Sequence, residues 1–205
     1  MSIFRRRRGA DREAGDRVLV VGLGNPGRRY EPTRHNIGFR VGSELAGRWE
    51  LGRAKSRFRG LYREGRAGPG GPRVALLLPQ TFMNESGSAA GPARGSLRLS
   101  LDRVVVLHDE IDLPFGEVQV RLGGGLAGHN GLKSLRDGFG GTGFWRVRAG
   151  VGRPDSSDPE VVSSYVLSGF SEPAPEVRAL VDRAADEAER LVARIAAAGD
   201  EGEGG

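Results

Sequence analysis

Short hydrophobic runs alternate with amphipathic stretches along most of this chain. Buried β-strands are predicted where apolar and β-branched residues follow one another, as in RVLVVGL (residues 17–23) and in residues 102–107. Helices are predicted where apolar residues recur every three to four positions, as from His35 to Trp49 and from Ala174 to Ala198. The chain therefore opens with a strand, a loop and a helix, as α/β domains do.

Glycine- and proline-rich segments separate the remaining elements. Turn residues at AGPGGP predict a hairpin-like pair of strands, and Pro92 disfavours a helix within the Ala- and Gly-rich residues 84–99. The further predicted elements are strands at 58–66, 73–78, 117–122 and 144–151 and a helix at 129–139. Together the elements predict the α/β class: a single three-layer domain, with a mixed β-sheet flanked by helices.

The ends of the chain differ in composition from the part between them. Residues 1–16 are predicted to be a disordered, Arg-rich N-terminal extension, and residues 199–205 a disordered acidic tail. The predicted domain covers residues 17–198. No apolar run approaches the ~20 residues that a membrane helix needs, and no apolar segment of a secretory signal follows the N-terminal arginines. We therefore expect a cytoplasmic protein with no membrane partner.

Composition excludes several kinds of chemistry. Cys is absent, so there is no disulfide, thiolate nucleophile or Cys-based metal site. Lysine occurs only at Lys55 and Lys133, and neither stands in the sequence of a phosphate-binding P-loop. The formal net charge is +5, and residues 18–171 hold 21 basic against 14 acidic residues. This excess is compatible with nucleic-acid binding, and equally with a solvated Arg-rich surface.

The first segment with candidate chemistry is GLGNPG, residues 22–27, directly after a predicted strand. It matches the glycine pattern of dinucleotide-binding loops, but Pro26 removes a backbone donor and Pro32 delays the helix that would meet the pyrophosphate. The loop instead displays polar side chains at the strand end. These are Asn25, Tyr30, Arg34 and His35. The segment is thus interpreted as a site loop.

The second segment, HDEID, follows another predicted strand. Its side chains suit a metal-dependent hydrolase, with His108, Asp109, Glu110 and Asp112 as the candidate ligands. Alternatively, one carboxylate of the segment orients a distant histidine and stabilises its cation. The acids also suit a simple turn-capping role, above all at Asp112 before Leu113.

Two further segments, GGGLAGHNG and PQTFMNESG, leave their roles open. In the first, glycine backbone donors and the Asn130 amide suit an oxyanion or phosphate, or the glycines are a connection and Asn130 a helix cap. In the second, Phe82 and Met83 form either an apolar wall beside Asn84 or part of the core. The nucleophile motifs G-x-S-x-G and H-E-x-x-H are absent, which leaves an activated water as the simplest nucleophile.

In this order and spacing, the segments resemble the bacterial peptidyl-tRNA hydrolase family over residues 18–170. The resemblance rests on VVGLGNPGRRYEPTRHNIGF, LLLPQTFMNESG, VVVLHDEIDLPFGEVQVRLGGGLAGHNGLKSL and FWRVRAGVGRP. It implies a monomeric, metal-independent enzyme with no cofactor. Such an enzyme hydrolyses the ester between a peptide and the 3′-terminal ribose of tRNA, so its partner is peptidyl-tRNA, bound at the acceptor stem and 3′ end.

The resemblance also implies residue roles. His35 matches the general base, Asp109 the carboxylate that holds it, and Asn25 the residue that discriminates peptidyl from aminoacyl esters. Substrate-binding positions are matched by Tyr30 and Phe82 at the tRNA end, Met83 in the peptide groove, Asn84 and Asn130 as anchoring amides, and Arg121 and Arg148 as an acceptor-stem phosphate clamp.

Two features depart from the family pattern. Leu126 and Ala127 stand where the family commonly has His and Gly, and the extension before Arg17 is additional. The alternative to an enzyme is a non-catalytic RNA-binding protein on the same scaffold. The sequence leaves open whether His108 and His129 are structural or functional.

Overall fold

A computed structural model describes residues 17–201, so the predictions for residues 1–16 and 202–205 lie outside the described residues. Seven strands of this part of the chain form one sheet, in the order β2-β3-β4-β1-β5-β7-β6. Their bounds are β1 (Arg17–Gly22), β2 (Lys55–Arg57), β3 (Gly60–Arg66), β4 (Arg73–Pro79), β5 (Val104–Glu110), β6 (Val118–Leu122) and β7 (Trp145–Gly150).

The sheet is parallel at its centre and antiparallel at its edges. Strand β1 lies between β4 and β5, and β5 also pairs with β7, all in parallel. The edge pairs β2-β3, β3-β4 and β6-β7 are antiparallel. Short connections produce the edge pairs, whereas parallel neighbours need longer crossovers. The predicted mixed sheet is confirmed.

Helices cover both faces of the sheet and complete the predicted three layers. Their bounds are α1 (Ile37–Arg48), α2 (Ser86–Leu97), α3 (Asn130–Phe139), α4 (Pro159–Val166) and α5 (Ala174–Glu201). On one face, α1 and α5 enclose a core that includes Leu45, Leu107 and Leu191. On the other, α2 and α3 enclose a core that includes Ala90 and Leu135. The two cores lie on opposite faces of the sheet and pack against the strands that end at the site described below.

Helix α2 is continuous although Pro92 lies inside it. Its Ala- and Gly-rich composition has a packing reason, because α2 and α3 approach closely at their glycines. A Cβ at Gly87 would lie 1.9 Å from the carbonyl oxygen of Ser134, and one at Gly91 would lie 2.6 Å from that of Gly138. The sequence pattern that disfavoured a helix is therefore the pattern of a close helix pair.

The structure adds elements and extends others. Strand β5 continues through Glu110, three residues past its predicted end, because these last residues pair with β7. Helix α4 was not predicted, although Asp158 caps it and Pro159 begins it, as helix N-termini favour. Helix α5 ends at Glu201 rather than Ala198, within the segment expected to be an acidic tail. In residues 17–201, no helix is long and apolar enough to cross a membrane.

Candidate active site

Most of the predicted site residues converge at the carboxyl edge of the central strands, where ligands bind in open α/β sheets, whereas Arg121 and Arg148 lie on the β6-β7 pair. Asn25 follows β1, Met83 follows β4, and Asp109 lies near the end of β5. His35 lies in a short 3-10 helix, Arg34–Asn36, which leads directly into α1. Residues separated by more than seventy positions in the chain thus meet because their strands are neighbours in the sheet.

His35 and Asp109 form the centre of the site. The His35 Nδ1 atom lies 2.9 Å from both carboxylate oxygens of Asp109. The Asp109 side chain is 2% exposed and that of His35 12%. Burial lowers the pKa of His35, but the charge of Asp109 and the hydrogen bond to it raise that pKa by more, so that the pKa lies above the ordinary value for histidine. Burial alone would raise the pKa of Asp109, yet His35 and His129 hold it well below 3.8.

The hydrogen-bond network assigns the tautomer of His35. Because the Asp109 carboxylate is ionised, it accepts hydrogen bonds, and His35 Nδ1 carries the hydrogen that it donates. In neutral His35, the other ring nitrogen, Nε2, therefore carries a free lone pair. Nε2 has no hydrogen-bond partner within the described chain. This is the arrangement that a general base needs.

His129 also contacts Asp109, but both of its nitrogens are occupied. Its Nε2 donates to Asp109 Oδ1 at 3.0 Å. Its Nδ1 accepts from the backbone N–H groups of Gly131 and Leu132, which caps helix α3. A histidine with both nitrogens committed has no lone pair to offer a substrate. His129 therefore orients Asp109 and caps a helix, while Asn130 is the first helical residue and not the cap.

His108 is buried beside this cluster and is neutral. Its Nδ1 donates to the backbone carbonyl of Asp109 at 2.7 Å, and its ring lies edge to face with that of His129 at 5.2 Å. Burial, with contributions from nearby His129 and Arg146, lowers the pKa of His108 to about 3. A side chain 1% exposed cannot meet a large substrate, so the role of His108 is structural.

Asn25 joins the first two loops of the site. Its side-chain oxygen accepts the backbone N–H of Met83 at 2.8 Å. Its backbone is held in turn by the side chain of Asn36, which accepts from the Asn25 N–H and donates to the Asn25 carbonyl. The Asn25 amide nitrogen makes no hydrogen bond to any described residue, so its two N–H donors remain for a ligand.

Arg34 anchors the segment that carries His35, and sequence reasoning named it without giving it a role. It is 3% exposed, and its guanidinium donates to Ser168 Oγ and to the carbonyl of Gly169. It also pairs with Glu172 at 3.2 Å and stacks over the ring of Tyr165. Arg34 thus fixes the 3-10 helix to the α4-α5 connection, next to the base.

The two remaining asparagines line one groove beside the cluster. Asn84 and Asn130 are exposed and contribute to a cavity of about 640 Å³ between the starts of α2 and α3. Lys133 and Arg59 line the same cavity. Neither amide side chain is bonded to another described residue, so both are available to backbone groups of an extended chain.

Tyr30 and Phe82 form an aromatic pair above the site. Their rings lie edge to face with centroids 6.4 Å apart, and Phe82 is 56% exposed. Met83, in contrast, is buried beneath them. An exposed aromatic ring at the edge of a site offers a stacking surface for a nucleobase.

Arg121 and Arg148 lie on the paired strands β6 and β7 but differ in their surroundings. Arg121 is exposed. The Nε and Nη2 atoms of Arg148 both lie 3.0 Å from one carboxylate oxygen of Glu110, Oε2, and its Nη1 donates to Gln119. Between them lies Arg146, which sequence reasoning missed and which is 2% exposed. Its signal was the alternation WRVR, which places two arginines on one face of a strand.

Within residues 17–201, one group of side chains has the spacing of a metal site. Its members are His35, Asp109 and His129, whose ligand atoms all lie within 4.8 Å of one another. The atoms that would bind the ion are those that already form the hydrogen bonds to Asp109. The carboxylates of HDEID are engaged elsewhere, because Glu110 pairs with Arg148 and Asp112 pairs with Arg153. The set His108, Glu110 and Asp112 therefore does not form a metal site.

An α/β sheet whose carboxyl edge carries a carboxylate-bound histidine and free amides is an arrangement typical of hydrolases. Comparison with known proteins narrows this class. The model of the peptidyl-tRNA hydrolase family matches residues 19–201. The chain belongs to the peptidyl-tRNA hydrolase family, as the sequence motifs predicted.

Relatives agree in sequence and in fold. The peptidyl-tRNA hydrolase of Geobacillus thermodenitrificans is 47% identical over 175 residues, covering 85% of this chain and 92% of the relative. That of Rhodospirillum centenum is 48% identical over 176 residues, covering 85% and 75%. The crystal structure of peptidyl-tRNA hydrolase from Acinetobacter baumannii matches with a TM-score of 0.73 and 32% identity, over 89% of this chain and 95% of that one.

Proposed function

We propose that this protein hydrolyses the ester bond between a peptide and the 3′-terminal ribose of tRNA, with His35 as general base. The observation that carries the proposal is the His35 ring, bound through Nδ1 to a buried carboxylate while Nε2 is free. Family membership supports the substrate class. Recycling of tRNA from stalled or released peptidyl-tRNA would follow from this activity.

The proposed reaction uses these groups in the following order. His35 Nε2 takes a proton from a water molecule, whose oxygen attacks the ester carbonyl carbon. Asp109 stabilises the imidazolium that forms. As the carbon–oxygen ester bond breaks, the proton passes from His35 to the ribose oxygen. The products are a peptide with a free carboxyl group and tRNA with a free terminal hydroxyl.

Amide groups around His35 suit the other requirements of the reaction. The free N–H donors of Asn25 lie beside the cluster and suit a peptide carbonyl near the scissile bond. Asn130 and Asn84 line the adjacent groove, where they suit the peptide backbone and the developing oxyanion. Met83 would form the floor of the groove, and Tyr30 and Phe82 would contact the tRNA end. Each of these substrate contacts is part of the proposal.

The same proposal includes the partner and its mode of binding. Arg121 and Arg148 would contact phosphates of the acceptor stem, a task for which the planar guanidinium is suited. We propose that the protein acts as a cytoplasmic monomer and needs neither metal nor cofactor. The affinity for tRNA should then fall steeply with increasing salt concentration.

The decisive test is hydrolysis of a purified peptidyl-tRNA by the wild type and by His35→Ala. Loss of a general base lowers the rate by about 10²- to 10⁴-fold. His108→Asn is the matched control, because it replaces a buried histidine next to Asp109 while retaining a donor near the position of Nδ1. Robust hydrolysis by His35→Ala would contradict the proposal.

Two further outcomes separate the alternatives. A wild-type protein that binds tRNA but does not hydrolyse the ester would indicate an RNA-binding role instead. Loss of activity with a chelator, restored by added metal, would show that His35, Asp109 and His129 hold an ion. We expect hydrolysis to be unaffected by the chelator.

A further inference from the structure

Arg146 is a buried cation without a carboxylate in contact among the described residues. The side chain begins on β7 and is 2% exposed. Its Nη1 donates to the carbonyl of Gly125 at 2.7 Å and its Nη2 to the carbonyl of Gly123. Glu110, whose charge acts on Arg146, is ion-paired with Arg148 instead. A buried guanidinium is thus held by two carbonyl groups of one loop.

That loop, residues 123–128, has little regular structure to hold it. Gly123, Gly124, Ala127 and Gly128 all have positive φ angles, from 46° to 90°. Two backbone hydrogen bonds support the loop, from Gly123 N–H to Phe144 and from His129 N–H to Leu126. Among the described residues, Arg146 is the side chain that donates hydrogen bonds to carbonyl groups of the loop, and no other side chain does so. Arg146 is therefore the main polar side-chain support of the loop, beside the packing of Leu126 against the core.

The loop connects the two functional parts of the site. At one end it follows β6, which carries Arg121, and at the other it leads into His129 and Asn130. Arg121 and Arg146 are direct cross-strand partners. Both also contact Gly124, where a Cβ would lie 2.8 Å from Arg121 Nε and 2.9 Å from Arg146 Nη2. The guanidinium groups of Arg121 and Arg146 thus both lie against the same loop glycine.

The charges of this region explain why such an arrangement would bind an anion. Arg121, Arg146 and Arg148 share one face of the β6-β7 pair, with Glu110 as the carboxylate bound to one of them. Burial lowers the pKa of Arg146, and the charges of Arg148 and Arg121 lower it further. Like charges held this close are unfavourable in the free protein, and a phosphate placed among them relieves the repulsion.

We propose that Arg146 is a positioning residue for tRNA binding, which fixes the glycine loop so that Arg121 is placed to contact a phosphate. The inference rests on the proposed function, but it concerns binding and not the ester chemistry. Arg146 itself is buried and contacts the loop, not the RNA. Its removal should therefore act through Arg121.

The test measures the affinity for deacylated tRNA, so its result does not depend on hydrolysis. Arg146→Met should weaken binding about tenfold, as expected for loss of a charge-assisted contact. Arg146→Lys keeps the charge but loses the two-carbonyl fork, and it should bind as weakly as Arg146→Met. Wild-type affinity in Arg146→Lys would overturn the proposal, because charge alone would then be sufficient.

Arg94 provides the matched control. It is less buried than Arg146 but likewise bridges two backbone carbonyls, those of Leu99 and Phe139, and it lies at the ends of α2 and α3, away from the loop. Arg94→Met should lower thermal stability to a similar degree and leave tRNA affinity unchanged. Equal loss of affinity in Arg94→Met and Arg146→Met would show a general effect of destabilisation and overturn the proposal.

A double-variant cycle tests whether Arg146 acts through Arg121. The double variant Arg121→Met/Arg146→Met should bind no more weakly than the weaker of the two single variants, since both changes remove the same contact. Additive losses would show that Arg146 contributes independently and would contradict the positioning role. If the Arg146 variants do not fold, Gly124→Ala disturbs the same packing from the loop side, and an unchanged affinity in that variant would also overturn the proposal.

Discussion

The cluster around Asp109 and the arginine-bearing β6-β7 edge illustrate two ways of preparing a site. In the cluster, one carboxylate accepts hydrogen bonds from two histidines, and every ring nitrogen except one on His35 and one on His108 has a partner within residues 17–201. At the edge, three guanidiniums share one face with a single carboxylate, and the loop beside them has positive φ angles at four positions.

The difference between the two regions follows from their tasks. A general base must be held in one orientation and one tautomer, which requires partners from several elements. Phosphate binding depends on the sign and density of charge and tolerates a looser geometry. Changes in the cluster should therefore affect the rate of the chemical step, and changes at the edge should affect stability and affinity.

The largest effect is expected in the cluster, from Asp109→Asn. The variant keeps the shape of the side chain but loses the charge that holds His35 and stabilises its cation. We expect kcat for peptidyl-tRNA hydrolysis to fall about 10²- to 10⁴-fold with little change in tRNA affinity. Steady-state kinetics and a separate binding measurement check both parts. A comparable loss of affinity would show that the cluster and the binding edge are not separate.

At the edge, Arg148→Met should mainly destabilise the protein. The Arg148 and Glu110 side chains are 13% and 5% exposed, so the variant leaves a buried carboxylate without its partner. The expected loss in free energy of unfolding is about 3 kcal/mol, measured by urea denaturation. The double variant Glu110→Gln/Arg148→Met should recover part of the loss. No recovery would indicate that the ion pair is not the source of the effect.

A smaller effect is expected from the buried histidine His108, on the pH dependence of the free energy of unfolding. Its pKa is about 3 in the folded protein and 6.5 in a free histidine, so below pH 6.5 the unfolded chain takes up a proton that the folded state does not. Stability attributable to His108 is thus lost as the pH falls from 6.5 towards 3, by up to about 1.4 kcal/mol per pH unit.

His108→Asn should remove this pH-dependent loss. The raised pKa of His35 acts in the opposite direction and is common to both proteins, so the informative quantity is the difference between the wild-type and variant unfolding free energies at each pH. We expect this difference to change in favour of the variant as the pH falls from 6.5 to 4. A pH-independent difference would mean that His108 is protonated in the folded state.

The smallest effect is expected in the glycine loop, from Ala127→Gly. Ala127 has a φ of 46°, a left-handed conformation that costs a residue with a Cβ roughly 1 kcal/mol and that glycine adopts freely. Part of this gain is offset by the greater freedom of glycine in the unfolded chain. Thermal denaturation should therefore show an unchanged or slightly raised midpoint. A clear loss of stability would mean that the Ala127 methyl group makes a favourable contact.

The residue pattern placed Asn25 and His35 in a loop after one strand and Asp109 at the end of another, and the carboxyl ends of neighbouring parallel strands meet at one edge of the sheet. The separate roles of these residues came from the resemblance to the family and stay predictions. The sequence could not predict that His35 keeps a free ring nitrogen and His129 does not. This difference depends on which nitrogen of His129 faces Asp109 and which faces the N-terminus of α3.

At the edge, residue type alone was misleading. Arg121, Arg146 and Arg148 look equivalent in sequence, and their different roles arise from the position of Glu110 and from the path of the glycine loop. The same holds for the fold. Pro92 made the local sequence pattern disfavour helix α2. The close approach of Gly87 to α3, which explains the small residues of this helix, is a tertiary feature that no local pattern contains.

The pH dependence of kcat/KM for peptidyl-tRNA, measured for the wild type and for Asp109→Asn, tests the role of His35 most directly. The base must be neutral, so the rate should fall on the acid side with an apparent pKa above 6.5 in the wild type. Without the carboxylate, burial dominates and lowers the pKa of His35, so in Asp109→Asn this limb should move to lower pH. An acid limb at the same pH in both proteins would contradict the assignment of His35 and Asp109 as the base and its partner.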